Sequence, residues 1–175
     1  MPLHLLHAVQ RQEGLWNAQD LRTRFPESPH REVDDIWLRF NDLGALAGEE
    51  AMACFLNSLD CINYPGLSAL PQARPVLFDL MRTVEGERLG RVMITRLKPG
   101  GLITPHVDGG EYAQYYDRYH CVLQNGPGSS FLAGNEEVCM GPGEVWWFDN
   151  TAQHSVVNNS SEDRITMIVD IRTTR

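Results

Sequence analysis

The sequence predicts a mainly β protein of the α+β class, a jelly roll with supporting N-terminal helices. Three observations carry that prediction. From about residue 88 onward, short β-prone runs alternate with dense turn signals. Before that point, stretches with helical spacing are mixed with one strand-like run. The 175 residues suit one domain with one sizeable core, and no repeat, low-complexity stretch or long linker divides them.

In chain order, residues 21–25 (LRTRF) read as the end of a short helix and residues 32–40 (EVDDIWLRF) as a strand. Residues 49–59 and 75–84 have helical spacing, and in the first Met52, Phe55, Leu56 and Leu59 share a face. The later strands are expected at 91–97, 119–123, 130–133, 137–140, 144–148, 154–158 and 164–171. KPGG, QNGPG, AGNE, GPG, DNTAQ and NNSSED mark breaks among them. Short strands at this density suit a sandwich or barrel rather than βαβ units. Residues 1–88 are therefore expected to form a mixed α/β region that supports the fold and contributes to substrate binding. Residues 89–175 would form the jelly-roll core.

Composition narrows the partners. The chain is 42% hydrophobic and 22% charged, with 15 basic against 23 acidic residues, a net charge of −8 and a pI near 5.2. Such a balance argues against a nucleic-acid backbone or an anionic membrane as the main partner, because both attract a positive field. The first residues, MPLHLLHAVQRQ, lack the basic run that opens a signal peptide. No window approaches the roughly 18 apolar residues of a membrane span, and the expected location is cytoplasmic. Cys54, Cys61, Cys121 and Cys139 form no CxxC pair, so they are expected to be reduced, mostly buried thiols rather than metal ligands.

The segment TPHVDGG holds the first chemistry. His106 and Asp108 are two residues apart after a short apolar run, so in an extended chain their side chains point the same way. A third metal ligand would have to come from elsewhere, and His154, at the start of HSVVNN, is the candidate. Two imidazoles and a carboxylate on one face leave open coordination positions suited to non-haem Fe(II) and O2. The plainer alternative is that each His caps a strand or bonds a nearby carbonyl. Arg164 follows His154 by ten residues and opens the apolar run RITMIVDI. An inward arginine there could hold a dicarboxylate through paired, charge-assisted bonds; a surface arginine would instead pair with Glu162 or Asp163.

Taken together, ITRLKPGGLITPHVD, RYHCVLQNGP and NEEVCMGPGEVWWFDNTAQHSVVNNSSEDRITMIVDIR resemble the aspartyl/asparaginyl β-hydroxylase-like branch of the Fe(II)/2-oxoglutarate oxygenases. The resemblance spans residues 91–172 and implies a double-stranded β-helix of cupin-like form. It implies that His106 and His154 ligate iron, and that Arg164 binds the distal carboxylate of 2-oxoglutarate with help from Thr95. Arg118 and His120 would line the cosubstrate pocket; alternation puts them on one strand face with Val122, and Tyr119 and Cys121 on the other. The animal enzymes of this family have Gly where this chain has Asp108. Keeping Asp108 makes the chain similar to small bacterial members, some of which hydroxylate free amino acids, and disfavours halogenation.

The implied activity is hydroxylation of an amino acid or similar small molecule, coupled to decarboxylation of 2-oxoglutarate to succinate, with O2 as oxidant. A hydroxylase of Asp, Asn or another residue in a peptide or protein is the alternative, and a non-redox metal-binding cupin the second. For the substrate, Trp37 and Arg39 are expected on one strand face, where they could receive a carboxylate or ring. The loop GGEYAQYYDRY is expected to act as a lid, hinged at Gly109 and Gly110 and carrying Tyr115.

Overall fold

The computed structural model describes residues 2–174. Among these residues, ten strands form two antiparallel sheets, the layered arrangement of a cupin-like jelly roll. The larger sheet contains β1 (Val33–Asn41), β2 (Cys61–Asn63), β3 (Arg88–Leu97), β5 (Asp117–Gln124), β8 (Val145–Phe148) and β10 (Arg164–Arg172), in the order β2-β1-β3-β10-β5-β8. The smaller contains β4 (Leu102–His106), β6 (Ser129–Ala133), β7 (Glu136–Val138) and β9 (His154–Asn158), in the order β4-β9-β6-β7.

Strand β10 lies between β3 and β5 and is buried over eight of its nine residues. One face of it (Ile165, Met167, Val169, Ile171) joins Val92, Ile94, Tyr119, Cys121 and Leu123 in a core shared with helices. These helices are α1 (Pro2–Gln10), which contributes Leu5 and Val9, and α5 (Ala73–Thr83), which contributes Leu77 and Leu80. The opposite face carries Arg164, Thr166, Ile168 and Asp170. Register places Thr166 beside Thr95 and Val122, Ile168 beside His120, and Asp170 beside Arg118. A strand covered on both sides is expected to be apolar throughout. Buried Arg164 and Asp170 are therefore the residues that need an electrostatic explanation. Between the sheets, Leu97, Val122, Phe131, Phe148 and Val156 pack together.

The short helix at 21–25 is α2 (Leu21–Arg24), and the two longer helical expectations correspond to α3 (Gly48–Asn57) and α5. Three further expectations are corrected. Trp37 and Arg39 do not share a face, because a β-bulge interrupts β1 between them. Trp37 is 2% exposed and stacked on Phe40, whereas Arg39 bonds the Leu89 carbonyl and Asn63.

The Tyr-rich segment is not a hinged loop but helix α6 (Gly110–Tyr115), with Tyr112 and Tyr116 buried. Gly110 has φ of +85°, and a Cβ there would meet the Leu56 carbonyl oxygen at 2.2 Å, so close packing explains the glycine. Tyr115 lies instead against the Arg172 guanidinium, 5.0 Å from its ring centre. Among the four free thiols Cys121 is buried, Cys54 and Cys61 are half-buried, and Cys139 is exposed, so they are not mostly buried. No helix of the described residues is long and apolar enough to cross a membrane.

Candidate metal centre

His106 ends β4 and His154 opens β9, and the two are direct register partners, so both rings project from one face with centres 4.2 Å apart. Asp108 follows on a short loop whose backbone is tied by the Asp108 N–H donating to the Asn150 carbonyl at 3.1 Å. Ligand atoms of the three residues all lie within 4.8 Å of one another. Asp108 Oδ1 stands 3.7 Å from His106 Nε2 and 3.9 Å from His154 Nε2. These distances are too long for hydrogen bonds. They suit donors around one shared cation, since two ligands at about 2.1 Å from a metal sit at most about 4.2 Å apart.

The tautomers agree with that use. His106 Nδ1 faces the Thr104 carbonyl at 2.8 Å and His154 Nδ1 the Ala152 carbonyl at 3.0 Å. A carbonyl only accepts, so each Nδ1 carries the proton and each Nε2 keeps its lone pair for the centre. His106 Nε2 is buried without a hydrogen-bond partner, an orphan that a cation would satisfy. Burial holds both imidazoles below their usual pKa, hence neutral. For Asp108, burial opposes ionisation, but Arg118 together with smaller contributions from the two histidines and Arg22 outweighs it and keeps the carboxylate anionic. The donor set fits a divalent first-row metal with open positions.

Arg118 is clamped between two carboxylates. Its Nη1 donates to Asp108 Oδ2 at 2.5 Å, while Nε and Nη2 donate to the two oxygens of Asp170 at 2.8 and 2.9 Å. Burial disfavours the charged guanidinium; Asp108 and Asp170 together overcome it and raise its pKa. Arg118 thus borders the centre as an orienter of Asp108, with its charge already shared.

Behind the histidines a cavity is lined by Thr95, His120, Phe131, Phe148 and Arg164. Arg164 is 3% exposed, and among the described residues it pairs with no carboxylate, neither Glu162 nor Asp163. Its Nη2 approaches only the Met140 Sδ, at 4.0 Å. Burial lowers its pKa to about 10, so it remains a charged group at neutral pH. Thr95 Oγ1 donates to the Thr166 carbonyl at 3.3 Å, and the buried His120 Nδ1 has no partner. A buried cation with unspent polar neighbours is a receptor for an anion.

On the other side of the centre lies a second pocket, lined among others by Phe25, His30, Phe55, Met93 and Arg91. The sequence pattern that defines aspartyl/asparaginyl beta-hydroxylases matches residues 59–174. The chain belongs to this family. Similar proteins include the L-proline cis-3-hydroxylases 1 and 2 of a Streptomyces species, each 32% identical, over 101 and 100 residues respectively. Both matches cover 55% of this chain but 34% of the relatives, so the chain spans about a third of the length of the curated relatives it matches. Similar solved structures include a predicted oxalate decarboxylase from Thermotoga maritima, 18% identical with a TM-score of 0.40, covering 54% of this chain and 72% of that one. The cupin domain of Schizosaccharomyces pombe Cnp3 is 12% identical with a TM-score of 0.40, covering 48% and 56%.

In this family member the sequence-predicted residues separate into two groups. His106, Asp108, His154, Thr95, Arg118, His120 and Arg164 converge on one centre and its inner cavity. Trp37, Arg39 and Tyr115 line neither pocket that borders the centre. Sequence reasoning missed Arg22, His30, Arg91 and Asp170. Arg22 donates to Asp35 at 2.8 and 2.6 Å, and the His30 ring meets that of His106 edge-on at 4.7 Å. Asp170 carried a usable signal, being a lone carboxylate inside the apolar run ITMIVDI.

Proposed function

We propose that the protein is an Fe(II)- and 2-oxoglutarate-dependent hydroxylase acting on an amino acid or amino-acid-like small molecule. The observation that carries this reading is the pairing of a His106–Asp108–His154 cluster with a cavity lined by a buried Arg164 that has no carboxylate partner among the described residues. A non-redox metal site has no use for a second, anion-seeking end.

His106, Asp108 and His154 would hold the iron, leaving the remaining coordination positions to ligands. Bound iron, with 2-oxoglutarate and O2, supplies the chemistry that puts a hydroxyl on a C–H bond while 2-oxoglutarate becomes succinate and CO2. Around it the chain's residues position and insulate. Arg164 binds the far carboxylate of the cosubstrate, with Thr95 and His120 as neighbouring polar groups. Phe131 and Phe148 pack edge-on against His120 and keep water from that end. Arg118, held by Asp170, maintains Asp108 as an oriented anion. The family relation and the amino-acid hydroxylases among similar proteins support a small-molecule substrate.

Anaerobic titration of the protein with Fe(II) and then 2-oxoglutarate tests the reading. A weak visible charge-transfer band is expected, and His106→Ala and Arg164→Ala should each lose it. Metal binding without any band on adding 2-oxoglutarate would remove the oxygenase reading and favour a non-redox cupin.

A further inference from the structure

The two pockets flanking the centre are bordered by four arginines, and their charges do not cancel. Arg22 is neutralised by Asp35, and Arg118 is shared between Asp108 and Asp170. Arg164 faces the inner cavity and Arg91 lines the outer pocket. Four guanidinium groups thus meet three carboxylates. A divalent cation and a doubly charged cosubstrate offset one another, leaving one positive charge unmatched. Since Arg164 is taken by the cosubstrate, the unmatched charge is Arg91.

Arg91 is built as a receptor. It is 3% exposed, and among the described residues no carboxylate comes within ion-pair distance of it, Asp170 acting on it only from further off. Nε and Nη2 donate to the neutral Asn41 Oδ1, and Nη2 also to the Phe55 carbonyl. Nη1 has no hydrogen bond to the described residues. Rings close the faces of the guanidinium plane: Tyr112 lies 3.6 Å from its carbon and Phe55 4.4 Å. Tyr112 is itself fixed by accepting the Arg91 backbone N–H at 2.6 Å. With its faces stacked and its charge unspent, the group can add an anion only at its edge, the approach a planar carboxylate makes. Apolar Phe25, Leu56 and Met93 line the same pocket, whose other side carries His30, the paired Arg22 and Arg118, and the centre itself.

We propose that Arg91 receives the substrate's carboxylate and makes the outer pocket selective for a small acid with one carboxylate and an apolar carbon skeleton, such as an apolar amino acid. The proposal rests on the oxygenase reading above. A dicarboxylic acid would bring a second negative charge to a pocket whose other arginines are already paired.

Anaerobic calorimetry on protein loaded with Mn(II) and 2-oxoglutarate, which does not turn over, tests this directly. The twenty common amino acids are titrated, followed by the primary carboxamide of each one that binds. At least one apolar amino acid is expected to bind, its carboxamide on the order of 30-fold more weakly, and L-aspartate not measurably. Arg91→Met should bring acid and amide to within about threefold of each other, and Arg91→Lys should restore part of the gap. Both variants should keep wild-type affinity for Mn(II) and 2-oxoglutarate. The proposal is overturned if no apolar acid binds, if wild-type protein binds acid and amide alike, or if L-aspartate binds best. Should Arg91→Met fail to fold, the acid–amide comparison on wild-type protein decides alone. If wild-type protein binds neither Mn(II) nor 2-oxoglutarate, the oxygenase reading fails; titrating the same acids and amides into metal-free protein then still reads the preference of Arg91.

Discussion

Replacing Arg164 by Met should make the ligand-free protein more stable while removing its affinity for 2-oxoglutarate. The side chain is buried, lacks a carboxylate among the described residues, and has its pKa lowered by burial to about 10. A base whose charged form is disfavoured in the folded state costs stability at every pH where it is charged in both states. That cost is therefore complete at pH 7 and is relieved only as pH rises above about 10. Each tenfold loss of proton affinity corresponds to about 1.4 kcal/mol, so charged Arg164 destabilises the empty fold by roughly 3 kcal/mol. Met has similar length and leaves no buried charge. For a chain of this size, 1 kcal/mol moves Tm by about 2–4 °C, so a rise of roughly 8 °C is expected. Differential scanning calorimetry of metal-free wild type and Arg164→Met at pH 7 measures it. With Mn(II) present in both samples, the two should then converge on adding 2-oxoglutarate, because only the wild type gains its binding free energy. A metal-free Arg164→Met variant less stable than wild type would refute the argument, and with it the view that the cavity is built around an absent anion.

Three further outcomes follow from the same geometry. Asp170→Asn leaves Arg118 with Asp108 as its one carboxylate partner, pulling that oxygen away from a metal; Mn(II) affinity should fall about 10- to 100-fold, and an unchanged affinity would show that Asp170 does not tune the centre. Tyr115→Ala should leave metal and 2-oxoglutarate affinities unchanged and cost only about 1 kcal/mol, since it loses a cation–π contact with Arg172; chemical denaturation and calorimetry check both parts. An aromatic disulfide reagent should label Cys139 rapidly and Cys121 only on unfolding, because Cys139 is exposed whereas burial pushes the Cys121 thiol up to about 12. Equal labelling rates in the native protein would contradict the placement of Cys121.

Much of the centre was legible because it obeys period two. Arg118 and His120 alternate with Tyr119 and Cys121 along β5, and His106 and Asp108 keep an i, i+2 relation at the end of β4. Other features were hidden for identifiable reasons. Strand β4 is five residues long and contains Pro105, so its run looks like a turn. The bulge in β1 breaks the alternation between Trp37 and Arg39, and no local residue announces it. The Tyr residues of α6 looked mobile in a Gly-flanked segment, yet Tyr112 is held by the backbone of Arg91, a contact across 21 positions. Arg22 and His30 reach the centre only through such long-range packing, which spacing alone does not reveal, whereas Arg91 shares a β3 face with Met93 and Thr95 by the same period of two.

The central position of β10 has a consequence for how the site can fail. Arg164 begins the strand and Asp170 lies six residues on, about 20 Å at the usual rise per residue. The strand is thus a ruler: one end sets where an anion is gripped and the other, through Arg118, sets the aim of Asp108. Hydrogen-bonded on both edges and covered on both faces, its amides should exchange with solvent only when the whole sheet opens. Loops and helices around the outer pocket can therefore loosen, or change their residues, without altering the spacing between the two ends. Loss of the centre on heating should coincide with loss of the fold.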